Sequence, residues 1–368
     1  MDFDEEPPEL LPERSQKVLQ ALTEYLRMMG LSRFSCTVAM GYMKSRLEQE
    51  NGAEKFRHVM TYFLRELNAS YTKKSGDDSE HDKDEDIVGN LDEEQQKHKE
   101  DVNVVIESTI DWQRGCPNRF YTLTAHPFWD KSTFSWIERL EESYPVILAE
   151  FEQLRKDDAP SFQPYRSPPS KESVCDRDQL GQLATSKGNW NVSYLYLHGV
   201  DFKENLVRCP QTMSVIQDIL PRHYHHAFFS ALSPDTHITP HYGPTNKKLR
   251  IHLPLVVEGG AWLRVADKRV EVEEGKAIVF DDSFEHEAWN DDPTATRIVL
   301  ILDVWHPDLR PEEVKFLDFL QKSALRTEKE IVTRRDENNE EEVFDNFFTV
   351  IQAAKRLTKD DGIIFQGH

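Results

Sequence analysis

The sequence predicts a mainly β core of barrel or jelly-roll type, and three observations carry that expectation. Leu249, Ile251, Leu253 and Leu255 alternate with Arg250, His252 and Pro254, so one strand face is apolar and the other presents a guanidinium and an imidazole together. Residues 296–305 are strongly β-branched and apolar, as expected of a strand covered on both faces. Several such strands follow one another without long helices between them, which favours a closed or doubly layered β architecture.

Taken in order, residues 12–70 read as three short amphipathic helices forming a small bundle. Val18, Leu22, Tyr25, Leu26 and Met29 repeat at helical spacing, and Gly30 is a natural stop. A second helix covers about Arg33–Leu47, and a third holds Phe56, Val59, Met60, Phe63, Leu64 and Leu67. From Gly76 to Val102 the chain is dense in Asp, Glu and Lys and poor in apolar residues, the composition of a disordered linker. Phe134 to Leu154 reads as a helical brace for the β core, and 155–175 as a loop. Trp190–Leu197 is expected as a strand, Met213–Leu220 as a short helix, and Ala227–Leu232 leads into the central block. Trp262–Val272 and Ala277–Asp282 are expected as further strands, joined by a hairpin turn at Glu273-Glu274-Gly275-Lys276. After Pro307 the pattern turns helical, with Val314, Phe316, Leu317, Phe319 and Leu320, and later Phe344, Phe347, Phe348 and Ile351. The expected organisation is a helical region over 1–75, an acidic linker over 76–103, the domain holding the β core over 104–310 and a helical extension over 311–368.

Composition narrows the partners. A formal net charge of -21 disfavours nucleic acids and anionic membranes. The longest apolar runs fall far short of the roughly twenty residues that span a bilayer. The acidic start lacks the basic and apolar segments of a secretory leader, so a cytoplasmic protein is expected. Cys36, Cys116, Cys175 and Cys209 are too scattered for a zinc ribbon or a disulfide framework. Nothing in the sequence fixes the oligomeric state.

The chemistry concentrates in residues 239–306. His241 precedes Tyr242-Gly243-Pro244, and His286 follows Asp281-Asp282-Ser283, so each imidazole stands beside a turn at the end of β-type sequence. Neutral imidazole suits iron, zinc or copper, and non-haem Fe(II) oxygenases commonly use two histidines and one carboxylate. The position two residues after the first histidine, where that carboxylate is usual, is Gly243. Asp281 and Asp282 fit a turn rather than a ligand set. His198, His223, His225, His226 and His237 are expected as ordinary interior or surface histidines. Arg250 could instead pair with Glu258 or Asp267 on a neighbouring strand.

His241-Tyr-Gly-Pro-Thr-Asn, Leu249-Arg-Ile-His252-Leu, Glu274-Gly-Lys276, Phe280-Asp-Asp-Ser-Phe-Glu-His286-Glu and Asp303-Val-Trp-His-Pro307, with Gly188-Asn189-Trp190 upstream, resemble the aspartyl/asparaginyl β-hydroxylase family. The resemblance implies a double-stranded β-helix that uses Fe(II), 2-oxoglutarate and dioxygen, with His241 and His286 as metal ligands and glycine in place of the customary acid. It further implies that Arg297 and Ser230 hold the distal carboxylate of 2-oxoglutarate, and that Arg250 and His252 lie near its metal-bound end. The reaction implied is hydroxylation of the β-carbon of Asp or Asn in a protein or peptide, with release of succinate and carbon dioxide. Alternatives are a related hydroxylase of a non-peptide acyl chain and an inert jelly-roll interaction module. Two departures from the family pattern leave the substrate open: Lys248 stands where arginine is usual, and the interval from His286 to Arg297 is one residue longer.

Overall fold

A computed structural model describes residues 13–49, 51–75, 112–156, 162–165, 185–338, 348 and 351–352. The expected acidic linker, most of the 155–175 loop and nearly all of the second half of the C-terminal extension lie outside these residues. Two compact units emerge, one helical and one built on β-sheets.

The helical unit contains α1 (Glu13–Met28), α2 (Arg33–Leu47), α3 (Gly52–Lys55), α4 (Arg57–Ser75) and residues 309–327 of the chain. Val18, Leu22 and Leu26 form the buried stripe of α1, which ends at Gly30 with φ +60. Ser32 caps α2 by accepting a hydrogen bond from the Ser35 amide at 3.2 Å. Phe316 stacks on Tyr42 and meets Phe56 edge-on. The buried Glu313 carboxylate accepts from the His58 and Val59 amides at 2.9 and 3.1 Å. Those amides begin α4, where no intrahelical acceptor exists, so a carboxylate from a distant segment replaces the missing partners.

The second unit carries the remaining helices: α5 (Ile137–Glu142), α6 (Tyr144–Lys156), α7 (Lys203–Leu206) and α8 (Pro210–Ile219), while α9 (Pro311–Glu337) runs from the first unit into its numbered residues. Its strands are β1 (Gln163–Pro164), β2 (Thr185–Lys187), β3 (Trp190–Leu197), β4 (Val200–Asp201), β5 (His223–Leu232), β6 (Thr236–His241), β7 (Lys248–Val256), β8 (Ala261–Val265), β9 (Lys268–Glu271), β10 (Ile278–Phe280), β11 (His286–Asn290) and β12 (Arg297–Trp305). A major antiparallel sheet runs β1-β3-β5-β12-β7-β10, with β4 paired to β3, and a minor one runs β2-β6-β11-β8-β9. Every residue of β12 is buried, as its composition predicts.

The major sheet explains that burial. Leu249, Ile251, Leu253 and Leu255 of β7 join Ile298, Leu300, Leu302 and Val304 of β12 in one apolar cluster with Ile147 and Phe151 of α6 and Met213 and Ile216 of α8. The helices therefore cover one face. Alternation sends Lys248, Arg250 and His252 of β7, and Arg297 and Asp303 of β12, to the other.

One local expectation is corrected. The hairpin in this region is not at Glu273–Lys276: β8 and β9 pair with each other across Ala266-Asp267, while β10 pairs with β7 in the other sheet. Residues 262–272 are thus two strands, and Glu273–Lys276 is a crossover between sheets. Ala266 takes φ 54, a conformation alanine rarely signals. Among the described residues, no helix is long and apolar enough to cross a membrane.

Candidate metal and anion site

The minor sheet brings the two predicted ligands together. His241 closes β6 and His286 opens β11, and the two are cross-strand partners with ring centroids 4.0 Å apart. Each ring is fixed locally: His241 Nδ1 lies 2.9 Å from the Thr239 carbonyl, and His286 Nδ1 lies 2.9 Å from the Phe284 carbonyl. A carbonyl only accepts, so Nδ1 carries the hydrogen and Nε2 keeps its lone pair. Burial, reinforced by the His286 ring, holds His241 well below the usual histidine range. Burial likewise pushes His286 down to about 3. Each ring therefore offers a neutral nitrogen with its lone pair free, the kind of donor a divalent transition metal takes. Among the described residues no group of three or more His, Cys, Asp or Glu could hold a metal, so these two protein donors stand without a third.

Gly243 lies where the third donor of such a site is usual, and its surroundings show why it is glycine. A Cβ there would sit 2.6 Å from the Asp282 Cγ and Oδ1, with Oδ2 at 2.7 Å. The Gly243 amide donates to the Asp282 carbonyl at 2.6 Å, which locks the two segments at that approach. Asp282 is fully buried, and among the described residues its Oδ1 has no hydrogen-bond partner. A carboxylate is thus present beside the imidazoles, reached from the β10–β11 turn instead of from β6.

Asp282 belongs to a buried charge quartet. Its Oδ2 accepts from Lys248 Nζ at 2.7 Å and lies 3.0 Å from an Arg250 terminal nitrogen. Arg250 also forks onto Asp303 at 2.9 and 3.0 Å, and Lys248 reaches Asp303 at 3.1 Å. Burial opposes charge on Arg250, but Asp282 and Asp303 overcome it and raise the guanidinium above its ordinary value. Burial similarly opposes ionisation of Asp303 and is outweighed by Arg250 and Lys248, so that carboxyl lies below the usual range. Arg250 is therefore paired, though with Asp303 and Asp282 rather than with Glu258 or Asp267.

Arg297 is the contrasting case. It is buried, a terminal nitrogen donates to the Trp289 carbonyl at 3.3 Å, and its Nε has no hydrogen-bond partner among the described residues. Burial without a carboxylate partner lowers its pKa to about 10. Such an uncompensated guanidinium is costly and is the natural seat of an anion. His252, across the same sheet face, is held well below its usual range by burial first and then by Arg297 and Arg250. Ser230 of β5 accepts from the Trp190 indole at 2.9 Å. Trp190 in turn stacks on Tyr165 at 3.8 Å between centroids and lies 6.3 Å from the His241 ring.

The six residues singled out by the sequence fall in this region from both sheets. Lys248, Asp282, Asp303 and Tyr165 were not among them. Asp303 faces Arg250 only through the pairing of β12 with β7, a register the sequence does not print. Of the histidines read as ordinary, His237 stacks on Trp289 and contacts Glu287 at 2.8 Å. His226 is buried 3.5 Å from Asp303.

Residues 141–307 match the family described as Aspartyl/Asparaginyl beta-hydroxylase. The ornithine lipid ester-linked acyl 2-hydroxylase of Rhizobium tropici is 33% identical over 205 residues, covering 54% of this chain and 68% of that protein. The human aspartyl/asparaginyl beta-hydroxylase is 37% identical over 135 residues, 36% of this chain, which spans only 18% of that protein. A prolyl-4-hydroxylase structure from Pseudomonas putida overlaps 46% of this chain and 98% of its own, at 13% identity and a TM-score of 0.28.

Proposed function

The chain belongs to the aspartyl/asparaginyl β-hydroxylase family, and from that membership we propose a double-stranded β-helix enzyme that uses Fe(II), 2-oxoglutarate and dioxygen to hydroxylate the β-carbon of an Asp or Asn residue in a protein or peptide. The observation that carries the reading is the neutral His241–His286 pair on the same core as the buried Arg297, which has no carboxylate partner among the described residues.

The residues fit the implied groups. His241 and His286 would hold the metal through Nε2, the nitrogens left open by their carbonyl contacts. The Asp282 Oδ1 atom would supply a nearby negative charge without occupying position 243. When bound, the iron supplies oxygen activation coupled to decarboxylation of 2-oxoglutarate.

Everything else falls to the chain itself. Arg297 binds the distal carboxylate of 2-oxoglutarate, since a planar fork matches a carboxylate in a way an ammonium does not. Ser230 adds its hydroxyl to that carboxylate while its oxygen accepts from Trp190, which fixes the rotor. His252, kept neutral, lines the nearer end of the cosubstrate without adding charge. Arg250 and Lys248 are anchored by Asp303 and Asp282, which orients their remaining N–H donors toward the substrate. The packed inner faces exclude water from a reaction that would otherwise lose its oxidising equivalents to solvent.

An acidic group on the substrate would find cations in this region: Lys248, Arg250 and Arg297 stand among the buried carboxylates Asp282 and Asp303, and burial pushes the neighbouring Asp281 carboxyl up to about 7. A second reading, hydroxylation of an acyl chain on a polar lipid, rests on the named activity of the Rhizobium tropici relative.

The deciding assay incubates the Fe(II)-loaded protein with 2-oxoglutarate, oxygen and either Asp- and Asn-containing peptides or an acyl amino-acid lipid. A peptide product one oxygen heavier at an Asp or Asn β-carbon, with matching succinate, is expected. Oxygen gained only by the acyl chain selects the second reading, and succinate from neither arm contradicts both.

A further inference from the structure

Between Glu24 and Glu48 the sequence has four basic residues, Arg27, Arg33, Lys44 and Arg46, and no Asp or Glu, in a chain where 66 acidic residues outnumber 45 basic ones. This stretch forms the end of α1, the turn at Gly30 and all of α2. Ser35, Ala39, Met43 and Leu47 face the interior of the helical unit. Helical geometry then turns Phe34 and Val38, one turn apart, to the outside. Phe34 is 69% exposed and Val38 37%, and just across the Gly30 turn Met28 is 64% and Met29 40% exposed. Half of the large exposed hydrophobics among the described residues thus gather at one helix corner. Exposed apolar side chains gathered in this way mark an interaction site.

We propose that the α1–α2 corner is a membrane-docking tip, with Phe34, Met28 and Met29 entering the interfacial layer of an anionic lipid surface, Arg33 meeting its headgroups, and Lys44, about three turns further along the same face of α2, adding to the attraction. The shape favours lipid over a folded partner. Side chains about two-thirds exposed stand off the surface instead of lining a groove, so a protein would need a complementary hollow, whereas a fluid lipid layer adapts to the tip. The charges fit as well. Arg33 has no ion-pair partner among the described residues, and Lys44 lies 3.9 Å from Glu48 with both side chains exposed, a contact that headgroups can displace. Arg27 is engaged with Glu24 at 3.0 Å, and Arg46 lies over the Tyr42 ring. The overall charge of -21 does not prevent this: at physiological salt fields decay within about 8 Å, so the corner's own charge governs contact. Such a tip lies on a bilayer without crossing it.

The inference does not depend on the reaction, so its failure leaves the hydroxylase reading untouched. The test is flotation of the full chain with vesicles of phosphatidylcholine alone and of phosphatidylcholine with phosphatidylserine, at low and physiological salt. Binding to the phosphatidylserine vesicles that weakens with salt is expected. Phe34→Ala combined with Met28→Ala should lower partitioning at least roughly tenfold, the loss of one or two buried apolar side chains. Arg33→Glu with Lys44→Glu should abolish binding, and all variants should keep wild-type circular dichroism. A Phe34→Trp variant should shift its emission to the blue when phosphatidylserine vesicles are added. Absence of flotation, or flotation indifferent to Phe34 and Met28, overturns the proposal. So does a salt-independent dimer that dissociates in Phe34→Ala, which would assign the corner to a second copy, or binding of an acidic amphipathic peptide without any vesicle binding.

Discussion

His241 and His286 face one another as cross-strand partners of β6 and β11, each with its Nδ1 tied to the carbonyl two residues before it. The identical local tie fixes the same tautomer on both rings and leaves each Nε2 with its lone pair. Fe(II) added without oxygen should therefore raise the thermal midpoint of the wild type by mass action, by about 2.7 kcal/mol of stability at a hundredfold excess over Kd. His241→Ala and His286→Ala should remain folded and show no such rise. An undiminished rise in either variant would place the metal elsewhere.

Arg297 should be a liability until an anion arrives. Arg297→Met removes a buried guanidinium without a carboxylate partner, so the apo-protein should become more stable by about 1–3 kcal/mol in denaturant titrations. The same variant should raise the KM for 2-oxoglutarate at least roughly a hundredfold, since two charge-assisted hydrogen bonds of about 1.5–3 kcal/mol each are lost. A destabilised apo-variant with unchanged KM would show that Arg297 serves packing.

Gly243 cannot be returned to an acidic ligand by substitution alone. The Asp282 carboxylate lies 2.6 Å from where a Cβ would start, so Gly243→Ala should cost about 1–3 kcal/mol by overpacking. Gly243→Asp should likewise bind Fe(II) more weakly than wild type in calorimetric titration. Adding Asp282→Gly should recover part of the affinity. Tight binding by Gly243→Asp alone would mean that Asp282 moves aside without cost.

The approach of His241 to His286 was legible because each histidine sits against a turn at the end of a β-patterned segment, and turns print their chemistry in Gly, Pro and Asp. Leu249 to Leu255 was legible because alternation survives wherever one face packs on helices. What escaped the sequence depends on register. Asp303 lies in the run 297–305, where burial on both faces hides any alternation, and it finds Arg250 only when β12 lies beside β7. The same holds for Glu313 at the start of α4, a contact spanning 255 residues of chain. The misplaced hairpin has a different cause: Glu273-Glu274-Gly275-Lys276 has turn chemistry, and turn chemistry does not distinguish a hairpin from a crossover between sheets.

Asp303 should be the costliest member of the charge quartet to neutralise. Asp303→Asn leaves Arg250 and Lys248 sharing the single Asp282 carboxylate inside the protein, at a cost of about 3–5 kcal/mol. Urea unfolding of the apo-protein measures it. A change under about 1 kcal/mol, the scale of an exposed pair, would mean that water reaches the quartet.

The central claim, two imidazoles and one guanidinium assembling an iron and 2-oxoglutarate centre, is tested most directly by anaerobic titration of the protein with Fe(II) and then 2-oxoglutarate, followed by visible absorption. A charge-transfer band that saturates at one equivalent, is absent in His286→Ala, and needs far more 2-oxoglutarate in Arg297→Met is the predicted result. No band in the wild type, or an equal band in all three proteins, would contradict it.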